Sequence, residues 1–333
     1  MKKKSRFYIL SILILLLAVL PSACSPKTLS PLAEESAKPA NDNIEEGVAS
    51  SPEFVTLQIE DGLGRIITIE TTPQHIISLA PSNTEYLFAL GAGDQLVGRD
   101  TFSDYPAEAA SITDIGGGWG ELDIETILTL NVDLVLAADI TATEQIQALE
   151  DLGFTVFAVA NPNNLSEMLE TVRMIAQITG HSDEAKTLIS ELSSRITSIE
   201  EKISYAKTTP LVFYELDATD PNAPWTAGPG TFIETLITQA GGTNIGSSLE
   251  GAWAQISIEA LLVENPDIII LGDFTWGGIT PEAVTSRSGW ESIIAVQNNK
   301  IFTIDDNLIS RPSPRMVDGL EILAQQIHPE LFE

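Results

Sequence analysis

The chain has 333 residues, of which 17 are Lys or Arg and 47 are Asp or Glu, so its formal net charge is −30 at pH 7. This length is sufficient for two domains of ordinary size. The acidity argues against a nucleic-acid-binding protein, because contacts to phosphate need Lys and Arg.

The first 24 residues have the features of a secretory signal. A basic start (Lys2 to Arg6) precedes an apolar run from Ile9 to Leu20, which is shorter than the roughly 20 residues that cross a bilayer. The only cysteine of the chain, Cys24, follows at the predicted cleavage site, as in bacterial lipoprotein signals, although Pro21 stands where Leu is usual. We expect a lipid anchor at Cys24, and an ordinary secreted signal is the alternative.

Residues 25–53 are rich in Ser, Pro, Ala, Glu and Asn, which predicts a disordered tether. As a flexible coil the tether would reach roughly 30 Å from the anchor. Removal of residues 1–24 would leave 13 basic residues and a net charge of −34. A single cysteine cannot form an intrachain disulfide, so the secreted domain depends on its core.

An N-terminal α/β lobe is predicted over 54–181. Two segments that alternate apolar and polar residues flank Asp61-Gly62-Leu63-Gly64, which predicts a hairpin. From residue 76 onward, short apolar strands alternate with amphipathic helices, the pattern of a parallel sheet covered by helices. The predicted strands are 76–79, 96–98, 134–137 and 156–159, and the predicted helices begin near 81, 123, 143 and 165.

One long helix is predicted over 182–206, with Ser182 as its cap. At roughly 36 Å it is long for a crossover within one domain, so we expect it to bridge two lobes. It contains neither Pro nor Gly, and a helix without them resists bending, which would limit closure of the lobes. The second lobe, 207–333, repeats the alternation, with strands at 211–216 and 301–304 and helices at 231–240 and 313–327.

A segment of the first lobe recurs 134 residues later in the second. Residues 119–136 read WGELDIETILTLNVDLVL and residues 253–270 read WAQISIEALLVENPDIII, with six of eighteen positions identical. Each copy runs from a Trp through a helix start, a helix and a turn to a buried strand. Two similar lobes with matched loops predict a cleft between them, where small ligands bind.

Four tryptophans are candidate ligand contacts. Trp119 and Trp253 precede the paired helices on predicted loops, and Trp225 and Trp276 lie in loops rich in Gly or Pro. Loops after strands gather around ligands in open α/β sheets, and aromatic walls suit a large flat ligand. The alternative is packing inside each lobe, which we expect for Trp290.

Polar residues at two places are further candidates. Ser82 and Asn83 predict a capped helix start whose backbone N–H groups could donate to a ligand in the cleft. Arg311 could reach a ligand carboxylate, amide or phosphate, whereas Arg315 is expected to form an internal ion pair. The alternative for both arginines is a pair with one of three nearby acids: Asp305, Asp306 or Asp318.

Glu125 and Glu259 occupy matching places in the repeat, two residues after the predicted caps Asp123 and Ser257. The helix dipole stabilises an acid in the first turn by about 0.3–1 kcal/mol, which would explain either residue alone. The helix dipole alone, however, does not explain why the same acid stands at the same place in both lobes. Exposed carboxylates on two lobes would suit a two-fold symmetric partner.

The sequence argues against an enzyme. His75, His181 and His328 are scattered and form neither HExxH nor a close metal-ligand spacing, so we predict no metal site. There is no GxSxG motif and no cysteine nucleophile, and Gly116–Gly118 lacks the Lys-Ser/Thr of a phosphate loop. The matched glutamates could serve a glycosidase only if both faced one cleft. We therefore predict a binding protein without a cofactor.

Three segments resemble the substrate-binding lipoproteins of ABC importers for cobalamin, ferric siderophores and haem, with the greatest likeness to the cobalamin-binding members. They are IISLAPSNTEYLFALGAGDQLVGRDTFSDYP (76–106), GGGWGELDIETILTLNVDLVLA (116–137) and SRPSPRMVDGLEIL (310–323). The resemblance implies an α/β fold of two Rossmann-like lobes joined by one long α-helix, with the ligand cleft between the lobes.

The resemblance also implies roles for individual residues. In cobalamin-binding relatives, aromatic residues at the positions matching Tyr105, Trp119 and Trp253 face the ligand. In the family, one surface Glu of each lobe docks onto Arg residues of the two permease subunits, which implies this role for Glu125 and Glu259. The implied partners are an ABC permease dimer with its ATPase and, through the lipid anchor, the membrane.

The sequence thus predicts a monomeric, extracytoplasmic solute-binding protein that binds cobalamin or a similar corrinoid and delivers it to a permease. Some relatives carry an aromatic residue where this chain has Ala137 and Ala138, so the pocket would be wider there. A ferric siderophore or haem is the alternative ligand. An anionic siderophore needs several Arg or Lys to bind its charge, and this chain has few basic residues. A surface sensor or adhesion module with the same fold is an alternative from a different functional class.

Overall fold

The computed structural model describes residues 56–118 and 120–333. The predicted signal with Cys24, the whole predicted tether and Trp119 lie outside these residues. The described residues belong to one unit of the chain, Pro52–Glu333. Within this part of the chain, no helix is both long enough and apolar enough to cross a membrane.

The predicted hairpin is confirmed as an antiparallel pair, β1 (Leu57–Glu60) and β2 (Ile66–Ile69). Its turn is closed by Asp61, whose Oδ1 accepts hydrogen bonds from the backbone N–H groups of Leu63 (3.0 Å) and Arg65 (2.9 Å). The N–H of Gly62 donates to the carbonyl of Ala158 (2.7 Å), which attaches the hairpin to the N-terminal lobe.

The N-terminal lobe contains five parallel strands in the order β5-β4-β3-β6-β7. Three of these strands, Ile76–Ser78, Leu134–Ala138 and Val156–Val159, are continuous buried runs because helices cover the sheet. The strands are β3 (Ile76–Ser78), β4 (Leu96–Arg99), β5 (Thr113–Asp114), β6 (Leu134–Ala138) and β7 (Val156–Val159). The helices are α1 (Pro81–Ala89), α2 (Ile124–Thr129), α3 (Thr143–Asp151) and α4 (Leu165–Thr179).

A helix of 22 residues, α5 (Ser182–Ile203), lies in the chain between the two parallel sheets. Its buried residues recur at helical spacing: Ala185, Leu192, Ile196 and Ile199. The predicted cap is wrong by one residue, because His181 precedes the helix and Ser182 is its first residue. The lobe boundaries at 181/182 and 206/207 stay a prediction.

The C-terminal lobe contains four parallel strands in the order β10-β8-β12-β13 and a separate antiparallel ribbon, β9-β11. The strands are β8 (Leu211–Glu215), β9 (Trp225–Ala227), β10 (Thr243–Asn244), β11 (Trp253–Gln255), β12 (Ile268–Leu271) and β13 (Ile301–Thr303). The helices are α6 (Phe232–Gln239), α7 (Ile258–Glu264), α8 (Pro281–Thr285), α9 (Ile294–Gln297), α10 (Asp306–Ser310) and α11 (Met316–Ile327). Helix α5 packs on α4 and on α11.

The predicted closing helix at 313–327 begins later, at Met316, and is preceded by the short helix α10. Pro312 and Pro314 lie between the two helices, where their missing N–H groups favour irregular backbone. This linker carries Arg311, Ser313 and Arg315.

The linker contacts Glu85 of α1 across the lobes, and these four residues form what we call the Glu85 network. Glu85 Oε1 accepts from Arg311 Nη1 (3.2 Å) and from Arg315 Nη2. Its Oε2 accepts from Ser313 Oγ (2.5 Å) and Arg315 Nε (2.9 Å). Glu85 and Arg311 are buried. The network therefore joins the N-terminal and C-terminal lobes through a buried pair, Glu85 and Arg311, and the half-buried Arg315.

Replacing Glu85 by Gln should lower the free energy of unfolding by about 3–5 kcal/mol, because two arginines would lose their shared buried counter-charge. Urea unfolding followed by tryptophan fluorescence measures this change. The control, Glu70→Gln at an exposed position directly after β2, should leave the midpoint unchanged. Equal midpoints for both variants and the wild type would contradict the importance given to the Glu85 network.

Candidate ligand-binding cleft

Two adjoining cavities lie where the lobes meet, a wide cavity of about 470 Å³ and a narrow cavity of about 380 Å³. They share four lining residues: Pro81, Ile140, Ser310 and Arg311. Pro81 and Ile140 follow β3 and β6, and Leu216 of the wide cavity follows β8. The cleft thus opens at the carboxyl ends of strands from both sheets, the usual place of ligands in open α/β folds.

The wide cavity has mainly apolar walls. Its N-terminal side includes Ala138, and its C-terminal side includes Phe232, Ile233, Trp253 and Pro312. Trp253 is 47% exposed, so a large part of the indole is free to contact a ligand. This half of the cleft offers aromatic and aliphatic surface, and its polar lining residues are Ser82, Asn161, Ser310 and Arg311.

The predicted loop positions of Trp225 and Trp253 are wrong, because both residues lie in the antiparallel ribbon. Trp253 pairs with Ala227, and Gln255 pairs with Trp225. Side chains two residues apart share a face of a strand, so the two tryptophans are diagonal neighbours on one face of the ribbon. Trp253 lines the wide cavity, and Trp225 lies beside it in the ribbon.

The narrow cavity is bordered by aromatic side chains from both lobes. The rings of Phe102 and Trp276 meet edge to face, with centroids 6.4 Å apart and an interplanar angle of 78°. Trp276 Nε1 donates to Asn307 Oδ1 (3.0 Å), which orients the indole. Trp276 therefore lines the cleft as an exposed aromatic wall.

The glycine loop before Trp119 gives Phe102 its space. Gly116, Gly117 and Gly118 have φ of 73°, 85° and 66°, a region that favours glycine. A Cβ on Gly118 would collide with the Phe102 ring. Trp119 itself lies outside the described residues, so its ligand role stays a prediction.

Tyr105 lies beside the cleft and stacks on Arg315. The guanidinium carbon is 3.8 Å from the ring centroid, a cation–π contact. The expected internal ion pair of Arg315 is confirmed, with Glu85 as its partner. Tyr105 is 46% exposed and is not among the residues that line the two cavities.

Arg311 lines both cavities, but its guanidinium is engaged by the opposite lobe. Besides Glu85, it donates from Nη1 to Asp104 Oδ1 (2.6 Å) and from Nη2 to the carbonyl of Phe102 (3.2 Å). The predicted acid partners close to it in sequence are wrong, because the linker faces α1 and the loop after β4. Arg311 therefore shapes the cleft wall, with its charge offset by Glu85 and Asp104.

The predicted capping by Ser82 and Asn83 is also wrong. The cap position of α1 is Ala80, no side chain caps it, and Pro81 is the first helical residue. Asn83 is buried and its Nδ2 donates to the carbonyls of Leu136 (3.2 Å) and Ala137 (2.9 Å), which holds α1 on β6. Ser82 and the start of α1 do line the wide cavity, as the sequence indicated.

A residue that the sequence analysis missed is Asp100, at the wall of the narrow cavity. Its side chain is buried, and Ser103 Oγ donates to Oδ1 (3.0 Å) and lies 3.2 Å from Oδ2. Burial raises the pKa of this carboxyl to about 6, against the opposing effects of Ser103, Arg311 and Arg99. An acid two residues after the predicted strand 96–98 was the available signal.

The charges of the cleft follow from these contacts. Among the described residues that line either cavity, only Asp100 and Arg311 are ionisable. The charge of Arg311 is offset by Glu85 and Asp104. The described cleft thus combines aromatic walls with one buried carboxylate and presents no free cation. In this part of the chain, no group of three or more His, Cys, Asp or Glu is arranged to hold a metal ion.

Glu125 and Glu259 occupy equivalent places away from the cavities. Each is the second residue of a short helix, α2 or α7, and each is exposed. The predicted caps are confirmed, since Asp123 accepts from the N–H of Thr126 (3.0 Å) and Ser257 accepts from the N–H of Ala260 (3.2 Å). The two lobes therefore present one matched surface carboxylate each.

Known proteins are similar to this chain in sequence and fold. The periplasmic binding protein family matches residues 76–308. The uncharacterized ABC transporter substrate-binding lipoprotein YvrC of Bacillus subtilis is 33% identical over 289 residues, covering 84% of this chain and 88% of the relative. A cobalamin-binding protein of Halobacterium salinarum is 26% identical over 279 residues, with coverages of 80% and 73%.

Two solved structures extend the comparison. A possible iron-binding (periplasmic solute-binding) protein of Staphylococcus epidermidis has a TM-score of 0.68 and 30% identity, covering 78% of this chain and 100% of its own. The periplasmic vitamin B12-binding protein BtuF of Vibrio cholerae has a TM-score of 0.66 and 25% identity, with coverages of 79% and 99%. The chain therefore belongs to the periplasmic binding protein family and is a binding protein, not an enzyme.

Proposed function

We propose that this protein is the substrate-binding lipoprotein of an ABC importer and that it binds cobalamin or a similar corrinoid in the cleft between its lobes. The observation that carries the proposal is a cleft with aromatic and aliphatic walls and no free cation among its described residues. The Halobacterium and Vibrio relatives, a cobalamin-binding protein and a vitamin B12-binding protein, support the same ligand class.

The shape and charge of the cleft fit a corrinoid better than an acidic ligand. A corrinoid is bulky and carries uncharged side-chain amides around an extended ring. Phe102, Phe232, Trp253 and Trp276 supply flat apolar surface for such a ring. Haem propionates or an anionic catecholate chelate would bring carboxylate or oxyanion charge to a cleft whose arginine is already paired, and unpaired buried charge is unfavourable.

A neutral ferric chelate is the second candidate ligand. The Staphylococcus epidermidis relative is described as a possible iron-binding protein, which supports this alternative. A neutral hydroxamate complex would satisfy the same charge argument. A role as a surface sensor or adhesion module receives less support, because the Bacillus relative is named as an ABC transporter component.

The partners in this proposal are the membrane and an ABC permease dimer with its ATPase. Cys24 would carry the lipid and residues 25–53 would form the tether, on the extracytoplasmic face of the cell membrane. The Bacillus relative is a lipoprotein, which supports the anchor. Glu125 and Glu259 would dock a monomer of this protein onto the two permease subunits, which their matched exposure in both lobes supports.

The ligand is identified by titrating the purified protein with cyanocobalamin, haem and a neutral ferric hydroxamate, following tryptophan fluorescence. Cyanocobalamin should bind most tightly. A Trp253→Ala variant should bind it about tenfold more weakly, which is ~1.4 kcal/mol, because an aromatic wall is lost. Tyr205→Ala, an exposed aromatic outside the cleft, is the matched control and should bind normally. Absence of cobalamin binding, with tight binding of either other ligand, would refute the corrinoid proposal.

Docking is tested by reversing both matched charges, Glu125→Lys with Glu259→Lys. Uptake of the ligand by cells should be abolished because the permease contacts become repulsive. Ligand affinity should stay within about threefold, since neither residue lines the cleft. The control pair Glu144→Lys with Glu291→Lys places the same charges on the exposed surface of each lobe and should preserve uptake. Normal uptake by the variant with Glu125→Lys and Glu259→Lys would contradict the docking role.

A further inference from the structure

We infer that each lobe docks through a pair of side chains, a glutamate and an exposed aliphatic residue one turn after it, and that both pairs contact the same partner subunit, present in two copies. The α2 surface consists of Glu125 and Leu128, and the α7 surface consists of Glu259 and Val263. The inference rests on the proposed docking onto a permease and adds the chemistry of the contact. On each of its two subunits, the partner would carry a cation beside an apolar hollow.

The two helices are built alike around their glutamates. Each begins after a capping side chain that accepts from the backbone N–H three residues on, and each glutamate is the second helical residue. The chain leaves both helices through an asparagine in the left-handed region, Asn131 with φ of 52° and Asn265 with φ of 51°. Because the backbones match from cap to exit, their outer side chains project from equivalent positions in the two lobes.

An exposed aliphatic side chain accompanies each glutamate. Leu128 is 56% exposed and Val263 is 83% exposed. Residues three or four apart are neighbours on a helix surface, so Leu128 lies beside Glu125 and Val263 lies beside Glu259. A single exposed aliphatic residue is ordinary in a soluble protein. The same pairing on the matched helices of both lobes indicates a surface that another protein covers.

Both surfaces lie toward the edge of the molecule where the cleft opens. Helix α2 leads into β6 and packs on it through Ile127 and Val135, and α7 leads into β12 and packs on it through Leu261 and Ile269. A helix that leads by a short turn into the strand it covers runs opposite to that strand and begins near the carboxyl edge of the sheet. One partner that covers the cleft mouth could therefore contact both surfaces.

The charge around the two surfaces selects a cationic partner. The chain contains neither Lys nor Arg between Arg99 and Arg173, the segment that includes α2, or between Lys207 and Arg287, the segment that includes α7. A surface of one sign attracts a partner of the opposite sign and determines its orientation. Exposed ion pairs contribute little to affinity by themselves, whereas apolar contacts at the centre of an interface exclude water. Leu128 and Val263 would supply these apolar contacts.

Two like surfaces on one chain fit a partner built from two copies of one subunit, because a two-fold axis repeats each binding hollow. Photocrosslinking tests this geometry in cells that carry the importer. The full chain is made with p-benzoylphenylalanine in place of Leu128 or of Val263. Irradiation should link both positions to one integral membrane polypeptide, which mass spectrometry should identify as the permease subunit of an ABC importer.

The control positions for crosslinking are Leu152 and Tyr205, which are also exposed apolar residues and follow α3 and α5. The same photoreactive group at either control position should give at least about tenfold less of this product. Adding Glu125→Lys with Glu259→Lys should abolish the product from Leu128 and Val263. The experiment requires no knowledge of the ligand, so its result does not depend on whether the cleft binds a corrinoid.

A second test removes the apolar contacts and keeps both glutamates. Leu128→Gln with Val263→Gln should lower cyanocobalamin uptake by cells about tenfold, because the interface loses its apolar contacts. The affinity of the purified variant for cyanocobalamin should stay within about twofold, since neither residue lines the cleft. Leu152→Gln with Tyr205→Gln is the control and should preserve uptake. Thermal unfolding shows that each variant is folded.

The outcomes separate this inference from the proposed function. Crosslinks from only one position, or from the two positions to different polypeptides, would overturn the inference. Normal uptake by the glutamine pair, together with loss of uptake on charge reversal, would overturn the role of Leu128 and Val263 and leave docking through the glutamates intact. Normal uptake by the charge-reversed chain without any crosslink to a permease would overturn both the docking function and this inference.

Discussion

The arrangement of the two lobes depends on one buried carboxylate. Glu85 of the N-terminal lobe accepts hydrogen bonds from Arg311, Ser313 and Arg315 of the C-terminal lobe, two to each of its oxygens. Buried ion pairs are tolerated only when their hydrogen bonds are complete, and separating the lobes would expose or strand these charges. The Glu85 network therefore favours a single relative position of the sheets, with the carboxyl ends of their strands facing one preformed cleft.

The same network determines the electrostatics of the cleft. Arg311 lines both cavities, yet its charge is directed to Glu85 and Asp104. Asp100 is then the remaining charged group in the described cleft wall, and burial raises its pKa to about 6. A contact that holds the lobes together thus also makes the site unsuited to acidic ligands. Arg311 therefore contributes both to the contact between the lobes and to the charge of the cleft.

The sequence predicted what local patterns encode. Strand β7 occupies the predicted range, and the caps of α2 and α7 are those that the repeat indicated, because periodicity and capping act over a few residues. It could not predict the partner of Arg311, which lies 226 residues away, or the ribbon that pairs Trp253 with Ala227. Both depend on tertiary contacts, which produce no pattern in the local sequence.

The distance between the lobes with and without ligand tests the preformed cleft most directly. Cys24 is the only cysteine in the sequence, so Cys24→Ser allows spin labels at Glu144→Cys and Glu291→Cys, one exposed position in each lobe. Double electron–electron resonance then gives the label separation. Saturating cyanocobalamin should change the mean separation by no more than about 2 Å. A larger shift, or a broad distance distribution in the free protein that narrows on binding, would contradict a cleft held open by the Glu85 network.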